Sequence, residues 1–220
     1  MKFIIITLFP EMFESFLSRS ILKRAQEKGT IEFEFINIRD YGLGKRKQVD
    51  DTPYGGGAGM VLRVDVLALA LKIAKRANPK AKVILLTPQG RLYNQKLARK
   101  LAKERTLILI CGHYEGFDER IRNLVDLELS IGQYILTGGE LAAGVVMETV
   151  ARLIPGTLGG DESSKEESYT INNQIEYPQY TKPEEWHGQK VPDILLSGHH
   201  QKIKQWRQAQ SDLKTKEHRK

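Results

Sequence analysis

Apolar runs alternate with amphipathic stretches through the first two thirds of the chain, and this alternation predicts its secondary structure. Apolar runs predict buried strands at 3–9, 83–86, 107–110 and 127–131, and the alternation of apolar and polar residues at 31–35 predicts a further strand. Apolar residues at helical spacing predict helices at 11–28, 64–77, 94–104 and 139–153. Strands that alternate with helices are typical of a mostly parallel sheet with helices on both faces. The sequence therefore predicts an α/β fold for residues 1–158.

The pattern changes after Pro155. Residues 159–176 lack sustained periodicity and are rich in glycine, serine, asparagine and charged residues, which predicts a flexible linker. Beyond it, prolines punctuate a short segment, 177–220, that ends in a basic helix carrying Trp206. We therefore expect a second, small helical domain at the C-terminal end.

Composition favours a polyanionic partner and a reducing compartment. The chain has 34 Lys and Arg against 27 Asp and Glu, a net charge of +7, and basic residues concentrate at 45–47 and 202–220. Such clusters are either RNA contacts or solvated surface. Cys111 is the single cysteine, which excludes a disulfide framework and fits the cytoplasm. The apolar start is too short for a signal peptide, no other apolar run approaches membrane-spanning length, and we expect no membrane association.

Glycine-containing loops follow three of the predicted strands, at 87–90, 111–116 and 130–140. In parallel α/β sheets, ligands bind beyond the carboxyl ends of the strands. Each loop alone is more often a simple turn, but together they predict one shared ligand pocket. A fourth cluster, 54–60, is neither a P-loop nor a dinucleotide fingerprint, and a flexible lid is the remaining interpretation.

Other common chemistries find no support in the sequence. The five histidines lack zinc-ligand spacing, so we expect no metal site. No nucleophile elbow is present. Cys111 follows an apolar run and is better interpreted as a buried hydrophobe than as a nucleophile.

Short motifs, in order through nearly the whole chain, resemble those of the bacterial tRNA (guanine-N1)-methyltransferases, members of the knotted methyltransferase superfamily. The motifs include Leu8-Phe9-Pro10-Glu11, Pro88-Gln89-Gly90, Tyr114-Glu115-Gly116, Gly138-Gly139-Glu140-Leu141 and Arg152-Leu153-Ile154-Pro155-Gly156. The resemblance implies a C-terminal trefoil knot in the sheet domain, where the residue pattern alone predicts an unknotted sheet. It also implies a homodimer with a shared active site, S-adenosylmethionine as cofactor and a C-terminal domain that binds tRNA. The implied substrate is the guanosine immediately 3′ of the anticodon, where another guanosine precedes it.

The resemblance also implies roles for particular residues. Glu167 and Arg152 would be catalytic, and Asp50 and Glu115 would lie near the target guanine. The residues implied to bind the cofactor are Thr87, Pro88, Gly112, Ile131, Gly132, Gln133, Tyr134, Ile135, Leu136 and Gly138. In the basic tail, the candidate RNA contacts are Lys202, Lys204 and Arg207.

Three positions depart from the family pattern. Glu167 stands where the family usually has aspartate, Gln133 replaces an aspartate of the cofactor loop, and Gln179 replaces a histidine. Two simpler interpretations stay open: Glu167 as a solvated surface residue, and Arg152 as a partner of a helix dipole. Two alternative functions also stay open, a non-catalytic RNA-binding protein and a ribosomal RNA methyltransferase on the same fold.

Overall fold

The computed structural model describes residues 1–158, 167–169 and 174–218. The chain forms two compact units, Met1–Gly159 and Gly160–Lys220. Most of the predicted linker, 159–176, lies outside the described residues. Within the described ranges, no helix has the length and apolar character needed to cross a membrane.

A parallel sheet forms the centre of the first unit. Its strand order is β2-β1-β6-β5-β7, and every neighbouring pair is parallel. A separate antiparallel pair, β3–β4, lies outside this sheet. The strands are β1 (Lys2–Thr7), β2 (Glu32–Asn37), β3 (Asp50–Asp51), β4 (Val61–Leu62), β5 (Lys82–Leu92), β6 (Thr106–Cys111) and β7 (Leu127–Ser130). The predicted α/β fold with a mostly parallel sheet is thus confirmed.

Helices cover both faces of this sheet. They are α1 (Glu14–Leu17), α2 (Ser20–Glu27), α3 (Val64–Ala77), α4 (Gln95–Leu101) and α5 (Glu140–Ala151), with 3-10 turns at Pro10–Phe13, Ile38–Tyr41 and Glu119–Leu124. Side chains alternate along β1: Phe3 and Ile5 pack with α2, α4 and α5, whereas Ile4 and Ile6 pack with α3. The continuous apolar strands follow from this two-sided burial.

Two predicted elements were wrong in detail. The predicted helix at 11–28 is interrupted, because Arg19 is extended and Ser20 has a φ of 55°. Serine competes for backbone hydrogen bonds and favours such breaks. The strand predicted to end at Leu86 continues to Leu92, with a shift of register against β7 between Leu86 and Arg91. Residues 87–90 therefore form an irregular stretch within β5 and not a loop after it.

The described residues of the second unit include helices α6 (Asp193–Leu196) and α7 (His200–His218) and a hairpin of β8 (Glu185–Trp186) and β9 (Gln189–Lys190). Ile175 is tied to α7 through both backbone groups. Its carbonyl oxygen accepts a 2.6 Å hydrogen bond from Ser211 Oγ, and its N–H donates to Thr215 Oγ1 at 2.8 Å. These contacts fix the described chain before the hairpin against α7.

Candidate active site

One cleft of about 390 Å³ lies beside the irregular stretch of β5 and the carboxyl ends of β6 and β7. The three segments predicted to share a ligand pocket line it together: 86–89 within β5, 112–117 after β6, and 129–132 and 134–139 around the end of β7. The cleft therefore lies at the carboxyl edge of the sheet, where the sequence predicted a pocket.

Nine of the ten residues implied to bind the cofactor line this cleft. They are Thr87, Pro88, Gly112, Ile131, Gly132, Tyr134, Ile135, Leu136 and Gly138. Gln133 is exposed and is not among the residues that line it. The difference from the family pattern at Gln133 therefore concerns a side chain that does not line the cleft.

The segment after β7 runs back to the end of β6. His113 and Gly138 form an antiparallel bridge, and Gly139 N–H donates to the carbonyl oxygen of Gly112 at 2.9 Å. At Gly138, an added Cβ would collide with the carboxylate of Glu140 and lie 2.8 Å from His113 Nδ1. A larger residue at this position would therefore require the side chain of Glu140 or His113 to move.

A buried polar pair lies beneath this segment. Thr7, at the end of β1, is 0% exposed, and Glu140, at the start of α5, is 4% exposed. The Thr7 hydroxyl donates a 2.6 Å hydrogen bond to Glu140 Oε1 and accepts one of 3.0 Å from Phe9 N–H. Neither residue was assigned a role from the sequence, because an acidic residue in the first turn of a helix, such as Glu140, is common without any special function.

Cys111 lies next to this pair and is 1% exposed. Burial raises the pKa of its thiol well above the usual value, and the charge of Glu140 raises that pKa further. Because the thiolate is the nucleophilic form, this thiol is unsuited to covalent catalysis. Its burial agrees with the interpretation of Cys111 as a hydrophobe.

The β3–β4 hairpin packs on the rim of the cleft. Glu115 N–H donates to the carbonyl oxygen of Met60 at 3.0 Å, and Leu62 N–H donates to that of Gly116 at 2.9 Å. Asp50 pairs with Leu62 in the hairpin, so β4 lies between the strand of Asp50 and the loop that carries Glu115. Glu115 lines the cleft, whereas Asp50 is not among the lining residues.

The remaining candidate residues lie elsewhere. Arg152 caps the C-terminal end of α5 in the first unit, and Glu167 is half-buried in the second. On α7, Lys202 and Lys204 are exposed, whereas the Arg207 guanidinium stacks 4.7 Å from the centre of the Tyr177 ring. Among the described residues, no group of His, Cys, Asp and Glu side chains is arranged to hold a metal ion.

Comparisons with known proteins agree with this architecture. The family model described as tRNA (Guanine-1)-methyltransferase TrmD matches residues 1–220. A tRNA (guanine-N(1)-)-methyltransferase of Clostridium perfringens is 52% identical over 219 residues, which cover 100% of this chain and 92% of the relative. One from Carboxydothermus hydrogenoformans is 55% identical over 216 residues, 98% of this chain and 84% of the relative.

A solved structure is similar over the same length. The crystal structure of the tRNA (m1G37) methyltransferase from Aquifex aeolicus matches with a TM-score of 0.83 and 36% identity, covering 100% of this chain and 94% of that one. The fold and the cleft define an α/β protein with an open cleft at the carboxyl edge of a parallel sheet. The chain belongs to the tRNA (guanine-1)-methyltransferase family.

Proposed function

We propose that the protein transfers a methyl group from S-adenosylmethionine to N1 of the guanosine at position 37 of tRNA, immediately 3′ of the anticodon. The observation that carries this proposal is the cleft at the carboxyl edge of the sheet, in a chain that belongs to this family over residues 1–220. We place the reaction in the cytoplasm, with tRNA as the macromolecular partner.

The residues of the cleft fit such a cofactor. Its volume of about 390 Å³ lies within the range of small-molecule sites. His113 Nδ1 is buried at the cleft without a hydrogen-bond partner among the described residues, so a polar ligand group would satisfy it. The backbone at Thr87, Gly112 and 131–138 would hold the cofactor. When bound, S-adenosylmethionine supplies a methyl group activated by its sulfonium.

The reaction requires removal of the proton on guanine N1. This nitrogen is protonated at neutral pH and becomes a good nucleophile only when its proton is removed. We assign this step to the carboxylate of Glu167, since a positioned general base contributes about 10²–10⁴-fold. The N1 proton would pass to the carboxylate. The electron pair left on N1 would form the new bond to the methyl carbon as the bond from that carbon to sulfur breaks, with its electron pair left on the sulfur.

Arg152 has the complementary role. As N1 loses its proton, negative charge develops on the neighbouring carbonyl oxygen of the guanine. A guanidinium directed at this oxygen stabilises it, as donors do in oxyanion sites, where one donor contributes about 2.7–4 kcal/mol. We assign Asp50 and Glu115, on the hairpin and loop at the rim of the cleft, to contacts with the target guanine.

Binding and transfer assays separate this function from its alternatives. Calorimetry should detect binding of S-adenosylmethionine, which a non-catalytic RNA-binding protein does not require. With tritiated cofactor, unmodified tRNA should accept methyl groups and ribosomal RNA should not. Transfer to ribosomal RNA alone, or no cofactor binding, would contradict the proposal.

We also propose the knotted topology and a homodimer. In support of the knot, the chain after β7 crosses the end of β5 and reaches the loop after β6, where His113 bridges Gly138. In support of the dimer, α5 presents exposed apolar side chains at Leu141 (62% exposed) and Val145 (41%), and Ile135 in the cleft loop is 81% exposed. Leu141 and Val145 lie one helical turn apart, and neighbouring exposed apolar side chains mark interaction surfaces.

The basic face of α7 gives a prediction for tRNA binding. Replacing Lys202 and Lys204 together by alanine should weaken tRNA binding and reduce the slope of log K against log salt by about 2, because each phosphate contact releases about one counterion. Filter binding at several salt concentrations measures this slope, and cofactor affinity should not change.

The Arg207→Ala variant is compared with the double lysine variant. Because its guanidinium stacks on Tyr177, Arg207→Ala should also lower the thermal stability of the protein. An unchanged salt slope in the double lysine variant would remove Lys202 and Lys204 from the RNA surface.

A further inference from the structure

We propose that Thr7 and Glu140 form a positioning pair that fixes the Gly138–Gly139 floor of the cofactor cleft. The inference rests on the proposed function, since it concerns how this chain prepares the site for S-adenosylmethionine. Neither side chain lines the cleft, so both act through the backbone above them.

The pair connects distant parts of the chain at one point. Thr7 ends β1, which lies between β2 and β6 in the sheet, and Glu140 begins α5, 133 residues later. A buried carboxylate is costly unless it is hydrogen-bonded. Thr7 Oγ1 supplies such a bond to Glu140 Oε1 at 2.6 Å, and Phe9 N–H holds the hydroxyl in place. The start of α5 is therefore fixed relative to the carboxyl edge of the sheet.

The second carboxylate oxygen faces the cleft floor. An added Cβ on Gly138 would collide with Glu140 Oε2 and would lie close to His113 Nδ1, so the two side chains confine the backbone at Gly138. Gly139 is confined as well, because an added Cβ would lie 2.7 Å from Cys111 Cα. The Glu140 carboxylate thus packs against Gly138, while Cys111 and Gly112 at the end of β6 hold the adjacent Gly139.

A role in positioning differs from a role in stability alone. If the pair only stabilised the fold, its loss would lower the melting temperature and leave cofactor affinity in the folded protein unchanged. If it positions the floor, its loss weakens the cofactor complex even in fully folded protein. Preorganisation of a ligand site acts on affinity in this way.

The test compares Thr7→Val with Thr7→Ser. Valine keeps the shape of threonine but removes the hydroxyl, whereas serine keeps the hydroxyl. By calorimetry on folded protein, Thr7→Val should raise the Kd for S-adenosylmethionine by about tenfold, the change expected when one buried hydrogen bond is lost. KM for the cofactor should rise in parallel, with kcat at saturation within about threefold of wild type. Thr7→Ser should restore most of the affinity.

Asp126 provides the matched control at the opposite edge of the sheet. Its Oδ2 accepts a 2.7 Å hydrogen bond from Val83 N–H, where β5 and β7 begin. Asp126→Ala should lower the melting temperature without changing the Kd for S-adenosylmethionine.

Two outcomes count against the inference. Unchanged affinity in Thr7→Val, or an equal loss of affinity in Asp126→Ala, overturns it. If Thr7→Val does not fold, Thr7→Ala, which adds no apolar bulk, is measured in the same way and must show the same loss of affinity. A wild-type protein that does not bind S-adenosylmethionine instead contradicts the proposed function, so the two failures are distinguishable.

Discussion

Replacing Glu167 by glutamine is expected to lower kcat for methyl transfer by at least about 10²-fold. Glutamine preserves the size and polarity of the side chain but cannot take the N1 proton. The affinities for tRNA and for S-adenosylmethionine should change little, since the lost interaction acts mainly in the transition state. Single-turnover kinetics with saturating cofactor measures this step directly.

The aspartate variant tests the family departure at this position. Glutamate and aspartate have similar intrinsic pKa values, about 4.3 and 3.9, so either serves as the same kind of base. Glu167→Asp should therefore retain much of the activity if the neighbouring chain can adjust to a side chain shorter by one methylene.

Two nearby carboxylates, Asp161 and Glu166, are the controls for Glu167; both lie outside the described residues. Glu166→Gln and Asp161→Asn should remain active. If Glu167→Gln is active and one of these variants is inactive, the base is misassigned although the reaction stands. If all three variants are active, the carboxylate mechanism is wrong.

Breaking the proposed dimer is expected to abolish activity. Light scattering of the wild type should give about twice the chain mass of 25.0 kDa. Leu141 and Val145 lie one helical turn apart on α5, and both are exposed. Replacing both by aspartate should give a folded monomer, because burying two unpaired charges in an apolar interface is strongly unfavourable. Since the active site is proposed to be shared, this monomer should lose methyl transfer.

A second exposed pair on the other face of the sheet is the matched control. Leu69 and Ile73 lie one turn apart on α3 and are 45% and 41% exposed. Aspartate at both positions should leave the mass and the activity unchanged. An active monomer, or dissociation caused by the α3 variant, would contradict the proposed interface.

Local patterns explain how much of this fold could be predicted. The apolar runs of β1 and β6 and the periodicity of α3 are strong signals, and the bounds of α3 were predicted at 64–77. The interruption at Ser18 and Arg19 was missed because the apolar periodicity continues across it. The register shift after Leu86 depends on pairing with β7, about 40 residues away, which no local pattern encodes.

Only part of the candidate site could likewise be predicted from local sequence patterns. Glycines after strands predicted the cleft, because such loops meet at one edge of a parallel sheet. The contact between Thr7 and Glu140 joins residues 133 positions apart, so neither residue alone indicated the pair. The assignments of Glu167 and Arg152 came from the family motif, since a carboxylate in a polar stretch has no local signature of catalysis.

Mass spectrometry of methylated tRNA tests the central claim most directly. Unmodified tRNA with guanosine at positions 36 and 37 is incubated with enzyme and isotopically labelled S-adenosylmethionine, then digested and sequenced by fragmentation. The account predicts one labelled 1-methylguanosine, located at position 37, and no product when guanosine 37 is replaced by adenosine. A labelled methyl group on another atom or another nucleotide would contradict it.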